Sequence, residues 1–204
     1  METSADEMPA PGAAPALKLR VLYPVLVLAL GAALLLRLRP ATFSAREQAA
    51  VQRAALLALF DAREHAKRLV FWSDTTHLSP TLQLLRDSGV PFEAQPPDTA
   101  ALALPLPVHL ESLATLEQQF RAEPDGWEAW FARYPASSGL VALTRPTLLA
   151  QSPDGTQRDA LSVAVIVART CGEHCHSAWR VTLIRDRRNV WQVRAIEPLT
   201  LPRD

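Results

Sequence analysis

Between Leu161 and Leu199, large apolar side chains recur at every second position through three successive segments. Leu161 to Thr170 sets Leu161, Val163, Val165 and Val167 on one face and the mostly smaller Ser162, Ala164, Ile166 and Ala168 on the other. Ala178 to Arg185 alternates Trp179, Val181 and Leu183 with Arg180 and Thr182, and Val190 to Ile196 alternates Trp191, Val193 and Ala195 with Gln192 and Arg194. A two-residue period marks strands with one face on a core. The connections Cys171 to His176 and Asp186 to Asn189 are short enough to force antiparallel pairing. The chain therefore ends in an antiparallel meander, and the small-residue face of its first strand can accept a closely packed helix.

What precedes the meander reads mainly as helix. Ser44-Ala45-Arg46-Glu47 is a capping box, and no helix breaker follows through about Lys67. Leu56, Leu57, Leu59 and Phe60 bunch together, so this helix is expected to dock by its middle only. Leu69 to Trp72 reads as a short buried strand ending at Ser73-Asp74-Thr75-Thr76. Asp74 and His77 are near neighbours there, but an Asp and Thr cluster after a strand is read as turn and cap chemistry. Ser79-Pro80 opens a helix to about Ser88, which Gly89 stops.

Pro91, Pro96, Pro97, Pro105 and Pro107 keep residues 90 to 108 extended or irregular. Helical spacing returns at Leu110, Leu113, Leu116 and Phe120, and a second helix follows Asp125 as N-cap and stops before Pro135. Its Trp127, Trp130, Phe131 and Tyr134 are expected as core plugs against a sheet rather than as an aromatic binding cleft. Leu140 to Leu143, interrupted at Pro146, suits an edge strand or a bulge, and Ser152-Pro153-Asp154-Gly155 is a tight-turn signal. Helices before strands give the expected class, α+β, with helices packed on a C-terminal antiparallel β-meander.

The N-terminal region has a different character. Residues 1–17 are acidic and rich in Pro and Ala, and read as a disordered tail. The uncharged run Val21 to Leu36 is 16 residues long and is flanked by Lys18, Arg20, Arg37 and Arg39. A bilayer needs roughly 20 apolar residues, and snorkelling of the flanking arginines makes up the difference. A cleaved signal peptide would want small residues after the run, where Arg37-Leu38-Arg39-Pro40 stands instead.

The expected organisation is a tail at 1–17, a single transmembrane helix at 18–39, a helical connector at 40–68 and a globular domain at 69–204. Arg37, Arg39, Arg46 and Arg53 would hold the C-terminal side in the cytoplasm by the positive-inside rule. Long domains translocate regardless of such charges, and a closely spaced cysteine pair fits an oxidising compartment. The expectation is a single-pass membrane protein with its domain on the extracytoplasmic side.

Composition excludes some functions. With Lys plus Arg at 21 and Asp plus Glu at 21, the chain has no surplus of cations to neutralise a phosphate backbone, so no nucleic-acid partner is expected. It has no Gly-x-Ser-x-Gly elbow, no phosphate-binding glycine loop and no His-Glu-x-x-His.

The one concentration of reactive side chains is Cys171-Gly172-Glu173-His174-Cys175-His176. Four chemistries suit it. A structural disulfide between Cys171 and Cys175 would stiffen the turn by about 2 kcal/mol through loop entropy. Cys171, His174, Cys175 and His176 are all ligand types for zinc or copper, though their spacing is compact for a structural zinc site. Cys-x3-Cys-His lengthens the haem-attachment pattern by one residue, without a methionine in the domain to act as second axial ligand. A thiol-redox pair would want a helix N-terminus to lower a thiolate pKa, where this loop follows a strand. His174 and His176 have no structural duty legible in the sequence.

Scattered positions add a resemblance. Trp127 or Trp130, Phe131, Tyr134-Pro135, Ser138-Gly139, Thr144-Arg145, Asp154, Ala160, Cys171-Gly172, Cys175 and Trp191, with Val70 to Thr76 upstream, follow a recurring order. In this the chain resembles an uncharacterised family of bacterial membrane-anchored or exported proteins. The likeness spans about residues 69 to 197 and departs at His176-Ser177, where the family tends to have glycines. It implies an extracytoplasmic domain with a disulfide, and no activity.

The sequence thus points to a membrane-anchored, non-enzymatic binding or accessory module of the bacterial envelope. No cofactor is expected, and the partner, a protein or a small molecule, is not named. The alternative is a metal-handling or thiol-redox protein working through the Cys171–Cys175 loop.

Overall fold

The computed structural model describes residues 43–61, 66–123, 125–149 and 161–202. The tail and the membrane helix expected at 18–39, and the turn at Ser152 to Gly155, lie outside the described residues. Among the described residues no helix is long and apolar enough to cross a membrane.

Phe43 to Asp204 form one compact unit. Its first element, α1 (Ala45–Leu56), starts as expected: Ser44 accepts from the Glu47 N–H while the Glu47 side chain returns to the Ser44 N–H. A π-helical turn, Leu57–Asp61, continues it. The helix docks along most of its length rather than by its middle, because Ala49, Val51, Gln52 and Ala55 are buried as well as Leu56, Leu59 and Phe60. Small side chains let its backbone approach the sheet, a contact that a count of large apolar residues overlooks. The stretch expected as a connector thus belongs, from Phe43, to the same compact unit.

The other elements follow in order. They are β1 (Arg68–Trp72), α2 (Pro80–Asp87), α3 (Thr99–Leu102), β2 (Val108–Glu111), α4 (Leu113–Ala122), α5 (Gly126–Arg133), β3 (Ser137–Leu143), β4 (Thr147–Leu148), β5 (Ser162–Thr170), β6 (His176–Arg185) and β7 (Trp191–Pro198). The sheet runs β2-β1-β3-β5-β6-β7, with the short β4 paired to β5. β5, β6 and β7 are the expected meander, Val165 facing Val181 and Val181 facing Ile196.

The class is α+β with a mixed sheet, and here the expectation needs correction. β1 runs parallel to both β2 and β3, so half of the sheet is not a meander. β3 is an interior strand between β1 and β5, not an edge. Its neighbour Thr144 carries the interruption: the Thr144 N–H donates to the Ile166 carbonyl, and the Thr144 hydroxyl accepts from the Ile166 N–H at 2.9 Å. Strands buried on both faces read as continuous apolar runs, which is how Leu69 to Trp72 and Leu140 to Leu143 appear.

Two cores result, one per sheet face. On one, α1 and Leu102 of α3 cover Leu69, Phe71, Val141, Val163, Val165, Val167, Val181 and Leu183. On the other, Leu82 and Leu85 of α2, Leu116 of α4 and Trp130 of α5 cover Val70, Trp72, Leu140, Ala142, Ile166 and Ala168. The small face of β5 does accept a helix: Thr81 of α2 donates its hydroxyl to the Arg169 carbonyl at 2.8 Å. The aromatics of α5 are core, with Trp130 fully buried and in contact with Trp127, Phe131 and Tyr134.

Candidate functional site

The disulfide loop closes the β5–β6 hairpin, in which Thr170 pairs with His176. Cys171 and Cys175 are bonded to each other, and the Cys171 N–H donates to the Cys175 carbonyl at 2.8 Å. With both sulfurs engaged, neither is a ligand or a nucleophile while the bond stands. Among the described residues no three His, Cys, Asp or Glu side chains are arranged to hold a metal ion.

His174 is exposed. His176 is built in: Nε2 lies 2.9 Å from the Glu173 carbonyl oxygen, and Nδ1 lies 2.9 Å from Oγ1 of Thr81. His176 therefore buckles the loop to α2, a structural duty invisible in the sequence because Thr81 is distant along the chain.

The described residues also form a cleft elsewhere, beyond the carboxyl end of β1. The order β2-β1-β3 places a parallel neighbour on each side of β1, and in open α/β sheets ligands bind outside the carboxyl ends of the strands where the order reverses. Ser73 ties this end to β2, its N–H and hydroxyl both donating to the Glu111 carbonyl, at 2.8 and 2.9 Å.

Asp74 then organises the loop. Its Oδ1 accepts from the Thr76 N–H at 2.8 Å, the Thr76 hydroxyl at 2.7 Å and the His77 N–H at 3.1 Å. Its Oδ2 lies 3.3 Å from Nδ1 of His77, and the Trp72 indole donates to the His77 carbonyl at 2.8 Å. The Thr76 hydroxyl and N–H, helped by the N–H and ring of His77, hold the Asp74 carboxyl well below the usual carboxylate range. The Asp74 side chain is 16% exposed and that of His77 59% exposed.

The cleft measures about 280 Å³, and its lining includes Asp74, Thr76, His77, Arg86 and Phe92. A narrower recess shares Asp74 and His77 with it and reaches Trp72, Ala142 and Leu143 at the ends of β1 and β3. On the lining, the Arg86 guanidinium lies 5.9 Å from the Phe92 ring centroid, and Glu93 pairs with Arg145 at 2.8 Å. Reading Asp74 as turn chemistry is correct as far as it goes. What it misses is that the same carboxylate orients His77 at a cleft, and only the parallel pairing of β1 reveals the cleft.

At the end of β2 a second polar group is sealed in. Glu111 is 1% exposed, accepts from the Tyr134 hydroxyl through Oε1, and has Arg133 at 3.6 Å. Its Oε2 is buried with no hydrogen-bond partner among the described residues. Burial first, and the Glu111 carboxylate second, push the Tyr134 hydroxyl up to about 12.

Compared with known proteins, the chain matches no protein-family model, no curated protein and no solved structure.

Proposed function

We propose that this chain is a membrane-anchored, non-enzymatic binding module on the outer side of a bacterial inner membrane, and that the cleft beyond β1 is its ligand site. The observation that carries the binding reading is the cleft itself, at the carboxyl end of a central parallel strand and walled by a fixed Asp74–His77 pair. The placement is supported by the apolar run Val21 to Leu36 and by the Cys171–Cys175 bond, since disulfides persist in oxidising compartments. The resemblance to membrane-anchored or exported proteins points the same way.

Two measurements test the placement. Membranes from a native host should retain the full chain through alkaline carbonate extraction. Thiol alkylation without reductant should leave Cys171 and Cys175 unmodified, and two freely reactive thiols would refute both the compartment and the bond.

One observation favours the thiol-redox alternative: Cys175 is an exposed residue, and thiol–disulfide exchange depends on access to the bond. In that case a Cys171→Ser, Cys175→Ser variant would lose function while keeping its ligand site. In the binding reading, the variant loses stability and keeps function.

A further inference from the structure

We infer that the cleft beyond β1 selects a small, uncharged ligand that presents an O–H or N–H donor to Nε2 of His77. This rests on the reading of the cleft as the binding site and adds the chemistry it recognises.

The inference follows from counting protons. The ionised Asp74 carboxylate only accepts. The single hydroxyl proton of Thr76 goes to Asp74 Oδ1, 2.7 Å away, so Oγ1 of Thr76 has only lone pairs left for Nδ1 of His77 at 2.8 Å. The other neighbour of Nδ1 is Asp74 Oδ2, at 3.3 Å, again an acceptor. With acceptors on both sides, Nδ1 must carry the ring proton, and a neutral imidazole protonated there has a bare lone pair at Nε2. The backbone on either side is fixed too, since the His77 N–H is held by Asp74 and its carbonyl by Trp72.

The result is a hydrogen-bond acceptor of assigned polarity on the ring of His77, a lining residue of the cleft whose side chain is 59% exposed. His176 offers a contrast, with both ring nitrogens engaged inside the protein. A ligand donor completes the His77 ring. At Nε2 a carboxylate or phosphate would set its own lone pairs against the ring, with the Asp74 charge just behind, while the Arg86 guanidinium of the lining lies over Phe92, 5.9 Å from its ring centroid, and the Glu93 carboxylate shares the wall. Phe92, Leu78 and Pro96 supply apolar wall for the rest of a small molecule, and about 280 Å³ is near the lower end of ligand-site volumes.

The test uses phenol, anisole and benzoate on the full-length chain in detergent micelles at about pH 8, where ordinary imidazole is neutral. The readouts are the histidine side-chain ¹⁵N resonances and the amides of residues 74 to 96. The free protein should show His77 with its proton on Nδ1. Phenol should shift Nε2 of His77 and bind about tenfold more tightly than anisole or benzoate, the size of one net hydrogen bond.

In Asp74→Asn the new amide N–H₂ can donate to Nδ1, which moves the ring proton to Nε2. The preference should then turn from phenol toward benzoate. A proton found on Nε2 in the unsubstituted protein, or equal binding of phenol and anisole, overturns the assignment of ligand class while leaving the cleft a binding site. Absence of any shift with all three probes overturns the binding site itself, and this inference with it. The tautomer is read on the unsubstituted protein, so the result stands even if the variant misfolds.

Discussion

A β-carbon at position 139 would lie 2.5 Å from the Thr170 carbonyl oxygen and 3.1 Å from Cα of Cys171, on a backbone with φ of +111°. Only glycine fits where β3 passes this close to the disulfide turn. Gly139→Ala is expected to cost about 1–3 kcal/mol, seen as a lower urea midpoint with an unchanged slope. Tyr134 gives a second expectation. Its proton is held up to about 12 against an ordinary 10.0, so below pH 10 both folded and unfolded chains keep it and its contribution is complete. Between about 10 and about 12 the unfolded chain releases the proton first, and stability falls as pH rises. Tyr134→Phe should flatten that dependence in denaturation curves taken at either end of the window. It should also lower stability near neutrality by about 1–3 kcal/mol, because buried Glu111 loses its hydroxyl donor.

The elements show which signals were local enough to read. Ser44 and Ser79 were legible as N-caps, and Gly89, at φ +77°, as a helix stop, because caps depend on residues a few positions apart; Asp125 holds the expected N-cap position of α5, but its side chain makes no cap hydrogen bond. The meander was legible because its alternation is written within each strand. β2 was not. Its Leu110 continues the spacing of Leu113 and Leu116 by coincidence, yet is 52% exposed on the sheet edge, while the helix starts only after the Ser112 cap. Pairing with β1, not side-chain pattern, makes Val108–Glu111 a strand. The candidate site divides in the same way: the Cys171–Cys175 bond was one of four chemistries that the loop's residues allowed, whereas the cleft needed the topology. At this scale, removing the bond through Cys171→Ser and Cys175→Ser should lower stability by about 2 kcal/mol, the loop-entropy value for so short a ring. Thr81→Val should cost about 1–3 kcal/mol without touching the cysteines. It removes the hydroxyl that meets Arg169, Thr170 and His176 together, and thermal unfolding with and without reductant separates the two effects.

For the molecule as a whole, stability should grade outward from the middle of the sheet. β1, β3 and β5 are buried on both faces, whereas β7 and β2 form the edges. Native-state hydrogen exchange is expected to be slowest in those three strands and fastest in the edge strands; equal protection across the sheet would contradict this ordering. The central place of β1 also sets a schedule for biogenesis. Val70 takes His109 as one neighbour and Leu140 as the other, both much later in the chain. As a nascent chain emerges from its N-terminal end, Leu69-Val70-Phe71-Trp72 is the first of the described strands out and waits through the longest stretch of chain before it is covered on both sides. During that interval an apolar strand is an open template for its neighbours in the cell, so the demand for a holding chaperone falls on the birth of this protein more than on its mature life.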